Sequence, residues 1–325
     1  MPVYVNTNYS ALQGQRYLGN VQNSLTTTYQ RLSSGLRINS AKDDAAGLQI
    51  ADRLTSQING LNQGNRNASD GIALAQTIES GMDEISGMLQ KIRTLTVQAA
   101  NGTNTNEDRA ALSKEATALA TEINRIATQT TFAGKTVLNG MGSTSIFGKD
   151  AGNKNGAAGQ AGKTGTMTLQ IGSNKGDTIS FDIDSVMFSK IAVEGGNNNN
   201  LVGTDKIFKT DNKTGAVTVT FTKADFANPA AATGIGSVIE LMDKAIANVD
   251  GMRAGLGALQ NRLESSIRNQ SNVAANEADA RSRIRDADFA EESANLSQQS
   301  IIQQAAASML MQANTRPQLG LSLLG

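Results

Sequence analysis

The chain has 325 residues, 29 basic and 29 acidic side chains, and no Cys, His or Trp. Balanced charge leaves no bulk field for nucleic acid or an anionic membrane. The missing Cys and His exclude disulfides, thiolate metal sites, Ser-His-Asp and Cys-His catalysis and His-based zinc sites. With only 8 Phe and 4 Tyr, the core is expected as thin seams of Leu, Ile, Val, Met and Ala. The start, Met1-Pro-Val-Tyr-Val-Asn-Thr-Asn8, lacks the basic and apolar regions of a secretory leader. No apolar run approaches a membrane span, so no membrane insertion is expected.

Residues 3–35 carry one helical seam. Ala11, Gly14, Leu18, Val21, Leu25, Thr28 and Leu32 alternate spacings of three and four, as in a coiled coil. Only Leu18, Val21, Leu25 and Leu32 are large, too few to offset the backbone entropy of ordering the helix. It is expected to need a partner surface on both flanks and to be frayed in the free monomer. Ser33, Ser34 and Gly35 read as a stop, since Gly tolerates the left-handed conformation that closes a helix. Ser40 with Asp43 reads as a restart, with Asp43 and Asp44 where the helix dipole favours negative charge.

A long helix is predicted over 41–100, on Leu54, Ile58, Leu61, Ala68, Ile72, Ala75, Ile78, Met82, Ile85, Leu89, Ile92 and Ala99. Gly60, Gly64, Gly71, Gly81 and Gly87 are read as sites of close helix packing rather than breaks. Thr105 and Asp108 cap a third helix, whose Leu112, Ala116, Leu119, Ile123 and Ile126 are expected to face inward. Thr130 to Asn139 reads as extended, with turns at Gly134 and Asn139-Gly140.

Residues 141–233 lose the helical period. Thr166–Ile171 and Thr178–Ile183 alternate around Gly172–Asp177, and Lys206–Lys209 and Ala216–Thr222 flank Asp211–Gly215. Two hairpins predict a small β-rich inserted domain, with 148–165 and 195–200 as loops. From Ile235 the seam returns on Val238, Met242, Ala245, Val249, Met252, Leu256, Leu259 and Leu263. Arg281–Phe289 interrupts it, and the cationic Arg283 and Arg285, beside Asp286, are placed to pair with Asp43 and Asp44. Leu296, Ile302, Ala306, Met309 and Ala313 mark a final helix, with Arg316-Pro317 as its stop.

The fold class expected is mainly α. A long antiparallel coiled-coil-like bundle forms from the N- and C-terminal parts, pairing 1–35 with 290–325 and 45–128 with 235–280, and carries the β-rich insert. The corresponding divisions are 1–40, 41–140, 141–233, 234–284 and 285–325.

The sites that chemistry would use are weak. Gly156-x5-Gly162-Lys163-Thr164 has one residue too many for a phosphate loop and no strand before it. Asp177, Asp182 and Asp184 lack a base partner, and Glu240, Asp243 and Asp250 fall on a helix surface. No catalytic residue, metal site or cofactor is expected.

Leu32-Ser-Ser-Gly-Leu-Arg-Ile-Asn-Ser-Ala-Lys-Asp-Asp-Ala-Ala-Gly-Leu48 resembles the signature of bacterial flagellins. So do Leu89–Asn101, Phe132–Gly140, Arg283-Ile-Arg-Asp-Ala-Asp-Phe-Ala290 and the ending Leu321-Ser-Leu-Leu324. The resemblance covers roughly 1–140 and 235–325. It implies a non-enzymatic subunit that polymerises with itself into the extracellular flagellar filament, for motility, after export through the flagellar type III apparatus. It also implies an export chaperone at the C-terminal segment, and filament cap and junction proteins. The assembly seam would then be Leu18, Val21, Leu25, Leu32, Leu296, Ile302 and Met309, and the joint Gly35, Ser40, Asp43, Asp44, Arg283, Arg285 and Asp286. By the same resemblance, Gln90, Lys91, Leu95 and Glu115 fall where flagellins are contacted by neighbouring subunits and by a vertebrate innate receptor. Lys91 stands where the family often has Arg, and Gly325 where Arg is common at the end read by an intracellular sensor. Two other readings are a hook–filament junction protein and a coiled-coil stalk displaying an adhesive or enzymatic insert.

Overall fold

The structure is a computed structural model. It describes residues 7–140, 144–147, 165–188, 190–191, 207–210, 217–224 and 234–322. The Gly156–Thr164 segment and the Asp211–Gly215 turn lie outside these residues. Among the described residues there are five long helices: α1 (Tyr9–Ser34), α2 (Ala45–Ala99), α3 (Asn106–Gln129), α4 (Ile235–Arg285) and α5 (Phe289–Ser322). Three antiparallel hairpins lie between α3 and α4: β1 (Thr131–Phe132) with β2 (Lys135–Thr136), β3 (Gly165–Gln170) with β4 (Thr178–Ile183), and β5 (Phe208–Thr210) with β6 (Val217–Val219). The chain divides into two compact units, 1–60 with 272–325 and 61–271. The first is called the terminal unit below and the second the core unit.

In the core unit, α2 and α4 run antiparallel. Arg93 pairs with Asp243, Asp83 with Arg253 at 2.9 Å, and Gln260 Nε2 donates to Glu79 at 2.8 Å. The α4 seam buries Val238, Met242, Ala245, Val249, Leu256, Leu259 and Leu263. On α2, Ala75, Ile78, Met82, Ile85, Leu89 and Ile92 are fully enclosed. Both seams follow the expected phase. Thr105 and Asp108 form the expected reciprocal capping box at the start of α3.

The inward face of α3 holds the expected residues, with Leu112, Leu119 and Ile126 packed against the core, but is wider and centred elsewhere. Ser113, Ala116, Ala120, Ile123, Asn124 and Ala127 are buried, whereas Leu112, Leu119 and Ile126 are half-buried. The reason is the inserted segment, which docks its backbone on α3. Ser113 Oγ accepts from the Phe221 N–H, Thr117 Oγ1 from Val219 N–H and Asn124 Oδ1 from Phe188 N–H, each at 2.9 Å. Small and polar residues allow that close approach and satisfy the buried amides.

The β3–β4 register runs from Gly165 opposite Ile183 to Gln170 opposite Thr178. Phe188 and Phe208 pack with ring centroids 5.4 Å apart, and Phe221 is also fully buried. These side chains belong to the same hydrophobic cluster as the three helices. The described strands therefore share the helical core.

The α2 glycines have a reason beyond the close helix packing expected. A Cβ on Gly64 would collide with the Ile171 carbonyl. One on Gly71 or Gly81 would stand 2.5 Å from Leu169 Cδ1 or Leu138 Cδ1. The tightest neighbours are the β3–β4 hairpin and the segment after β2, and α4 also closes in, with Gln270 Oε1 3.2 Å from a Cβ on Gly64 and Leu263 Cδ1 3.3 Å from one on Gly71. Gly87 meets nothing within 4 Å.

In the terminal unit, α1 lies along α5. Gly35, at φ +70°, closes α1, and its N–H donates to Arg31 O at 2.8 Å. Helix α5 continues to Ser322 rather than stopping at Arg316-Pro317. Proline forfeits one hydrogen bond and crowds the preceding turn, a local defect that this 34-residue helix passes through.

Candidate assembly surface

The α1 seam is on the face expected. Val21, Leu25 and Thr28 are buried, and Ala11, Gly14, Leu18 and Leu32 are half-buried. Its cover is α5 of the same chain. A Cβ on Gly14 would stand 3.1 Å from Leu310 Cδ1, and Asn8 Nδ2 donates to Ala313 O at 2.8 Å.

On α5 the covered stripe is Leu296, Gln299, Gln303, Ala306, Leu310 and Ala313. Leu296 is where it was expected, but Ile302 and Met309 are exposed, at 39% and 70%. The spacing of large residues misleads because α1 packs on a stripe that is mostly small or polar. Ile301 and Met311 are exposed too, and helical periodicity places these four large residues around the circumference rather than on one edge.

The two units differ sharply in apolar accounting. Among the described residues, twelve large hydrophobics are exposed, and all but Val97 lie in the terminal unit. Tyr9, Leu12, Tyr17, Tyr29 and Phe289 are among them. Among the described residues only Val21, Leu25, Ile38, Ala51, Ile58 and Ala274 are buried hydrophobics there, and none joins the main cluster. A groove of about 490 Å³ opens between α1 and α5, lined by Gly14, Tyr17, Met309 and Ala313 with Ser10, Gln13 and Gln312. Exposed apolar side chains gathered in one part of a protein are what an interaction surface presents.

The joint is closed by backbone rather than by the ion pairs expected. Leu36 bridges Asp286 in antiparallel fashion, Arg37 N–H donates to Arg285 O at 2.7 Å, and Ala287 N–H to Gly35 O at 3.0 Å. Arg37 Nη2 adds a bond to Ile284 O at 2.6 Å. Arg283 pairs instead with Asp279 on its own helix at 2.9 Å, and Asp286 Oδ2 accepts from Ser282 Oγ at 2.6 Å. Among the described residues no ion pair reaches Asp43 or Asp44.

Those two carboxylates hold the local chain. Asp43 Oδ2 accepts from the N–H of Ser40 at 2.9 Å and of Asn39 at 3.1 Å, and from Ser40 Oγ. The Ser40 amide foremost, then that of Asn39, holds the Asp43 carboxyl below its ordinary range. Asp44, not Ser40, caps α2: its Oδ1 accepts from Gly47 N–H at 2.9 Å. A feature the sequence did not signal is Arg31 paired with Glu292 at 3.0 Å, across α1 and α5. Glu292 is only 6% exposed.

In the core unit, Gln90, Lys91 and Glu115 are exposed, as a contact face needs. Leu95 is not: it is 8% exposed and belongs to the hydrophobic cluster, together with residues of α3. The carboxylates weighed as a cluster serve the hairpin, Asp182 accepting from Thr166 Oγ1 at 2.6 Å and Asp177 from Asn174 N–H at 3.0 Å. Glu240 pairs with Lys244 at 2.8 Å, and Asp250 lies 3.7 Å from Arg253.

Comparison with known proteins falls on these same segments. The family described as the bacterial flagellin N-terminal helical region matches residues 5–143, and that of the bacterial flagellin C-terminal helical region matches 239–324. Flagellin D of Vibrio anguillarum is 38% identical and flagellin D of Vibrio cholerae 37% identical, each over 377 aligned positions spanning the whole of both chains. A solved structure described as a flagellar hook-associated protein from Vibrio parahaemolyticus is 17% identical, with a TM-score of 0.53 over 75% of this chain and all of that one. It shares the fold. Among the described residues no helix is long and apolar enough to cross a membrane.

Proposed function

The chain belongs to the bacterial flagellin family and is a structural subunit of the extracellular flagellar filament, and from that premise we propose how it assembles. The core unit folds by itself. The terminal unit completes its burial only against other copies of the chain, so that α1 and α5 become fully ordered on joining the filament. The observation that carries this reading is the concentration of exposed large hydrophobics on the terminal unit: among the described residues eleven are exposed there and four, Val21, Leu25, Ile38 and Ile58, are buried. A helix with large apolar residues around its circumference, as on α5, suits burial from several sides.

The same apolar exposure makes α5 the segment that an export chaperone would cover before secretion. Cap and junction proteins would meet the ends of the polymer. Gln90, Lys91 and Glu115 form the remaining candidate face for a neighbouring subunit or an innate receptor, with Leu95 supporting it from beneath. The joint residues Gly35, Asp43, Asp44 and Arg285 would hold the crossing between α1 and α2 and between α4 and α5 while the ends order.

Hydrogen exchange tests this reading, on the monomer and on the same protein extended from filament fragments. Amides of 9–34 and 289–322 should exchange rapidly in the monomer and become protected in the polymer, while those of 75–92 and 238–263 stay protected in both. Equal protection of the ends in both states would overturn it.

A further inference from the structure

Eight methionines have described side chains, and six of them lie in the core unit, buried or half-buried. Met82 and Met242 are fully enclosed there. Met309 and Met311 are different. They stand 70% and 66% exposed on α5 of the terminal unit, and the chain has no Cys to compete for oxidant. Met309 also lines the groove between α1 and α5, beside Tyr17, which is itself 63% exposed.

We infer that Met309 and Met311 are a site of oxidative modification by peroxide, and that their sulfoxides stop the free subunit from joining a filament. The thioether sulfur attacks one peroxide oxygen and the O–O bond breaks. Sulfur is oxidised by two electrons and keeps that oxygen, whose proton passes to the other oxygen, which is reduced and leaves as water. A flexible apolar side chain becomes polar and chiral. On a surface that must shed water, the new S=O is an acceptor that needs a donor, and burial without one is unfavourable. Filament growth itself protects the site, because a subunit already packed offers no sulfur to solvent. The free subunit is then the sensitive form. This inference rests on the burial of α5 in the polymer.

The test treats monomer and preformed filament with hydrogen peroxide, maps sulfoxide at each methionine by peptide mass spectrometry, and measures growth on untreated filament fragments. In the monomer, Met309 and Met311 should oxidise first and Met82 and Met242 last, with growth lost in step with the first pair. A methionine sulfoxide reductase should restore it. In the double variant M309L/M311L, whatever its untreated rate, peroxide should leave growth at the rate of that same variant untreated. Sulfoxide at both positions with undiminished growth would overturn the inference while leaving the assembly reading intact, as would equal loss of growth in the double variant. Oxidation of the pair as fast in filament as in monomer would instead sink the burial of α5, and the inference with it.

Discussion

The α carbon of Gly64 faces the carbonyl oxygen of Ile171 so closely that a Cβ there would overlap it, and Asn67 Nδ2 donates to the neighbouring Gln170 O at 2.8 Å. One missing side chain thus lets the β3–β4 hairpin lie against α2, where a side-chain amide holds it.

Gly64→Ala should destabilise the protein although alanine is the better helix former. Helix propensity gains about 1 kcal/mol, but the clash is with backbone and overpacking costs about 1–3 kcal/mol. The Gly64→Ala denaturation midpoint should fall. Gly87→Ala is the control, in open space on the same helix, and should stabilise by up to about 1 kcal/mol. Parallel shifts for the two variants would refute the packing explanation.

Arg31→Met should loosen α1 from α5, because it leaves the buried Glu292 carboxylate without its partner. Breaking a fully buried pair costs about 3–5 kcal/mol, and the partial exposure of Arg31 brings the expectation to about 2 kcal/mol. Faster hydrogen exchange over 9–34 in the polymer, where those amides are protected, would show it. Adding Glu292→Leu should recover most of the loss, since apolar replacement removes the stranded charge.

At the joint, Gly35→Ala forces an L side chain to adopt φ +70°. The strain is about 1–2 kcal/mol, and the last turn of α1 should fray. Backbone chemical shifts of 30–38 would report it, with the core unit unchanged.

Asp43 gives the joint a dependence on acid. Its folded carboxyl lies below the ordinary value because the ionised form accepts two backbone N–H bonds. The stabilisation is therefore full above about pH 4, the unfolded value, and is lost as pH falls through the lower folded one. Carboxyl titration by NMR should place the Asp43 midpoint below that unfolded value. In Asp43→Asn this part of the acid sensitivity of 39–47 should disappear.

Much of this molecule was legible in one dimension. The seams of α1, α2 and α4, the capping box at Thr105 and Asp108 and the hairpins follow from local periodicity and cap chemistry, which depend only on neighbours a few residues away, and the pairing of the two chain ends follows from the matching layout of their seams. So did the family, carried by Leu32–Leu48 and Arg283–Ala290. The tertiary structure decided the rest, for a reason common to each case: the face a helix buries depends on what arrives from far along the chain. Backbone from the insert turned α3 toward Ser113 and Asn124. The Ile171 carbonyl of the hairpin, closer than any helix neighbour, required Gly64. A stripe of small and polar residues on α5 took the contact with α1, and so left Ile302 and Met309 outside, where a second copy of the chain can meet them.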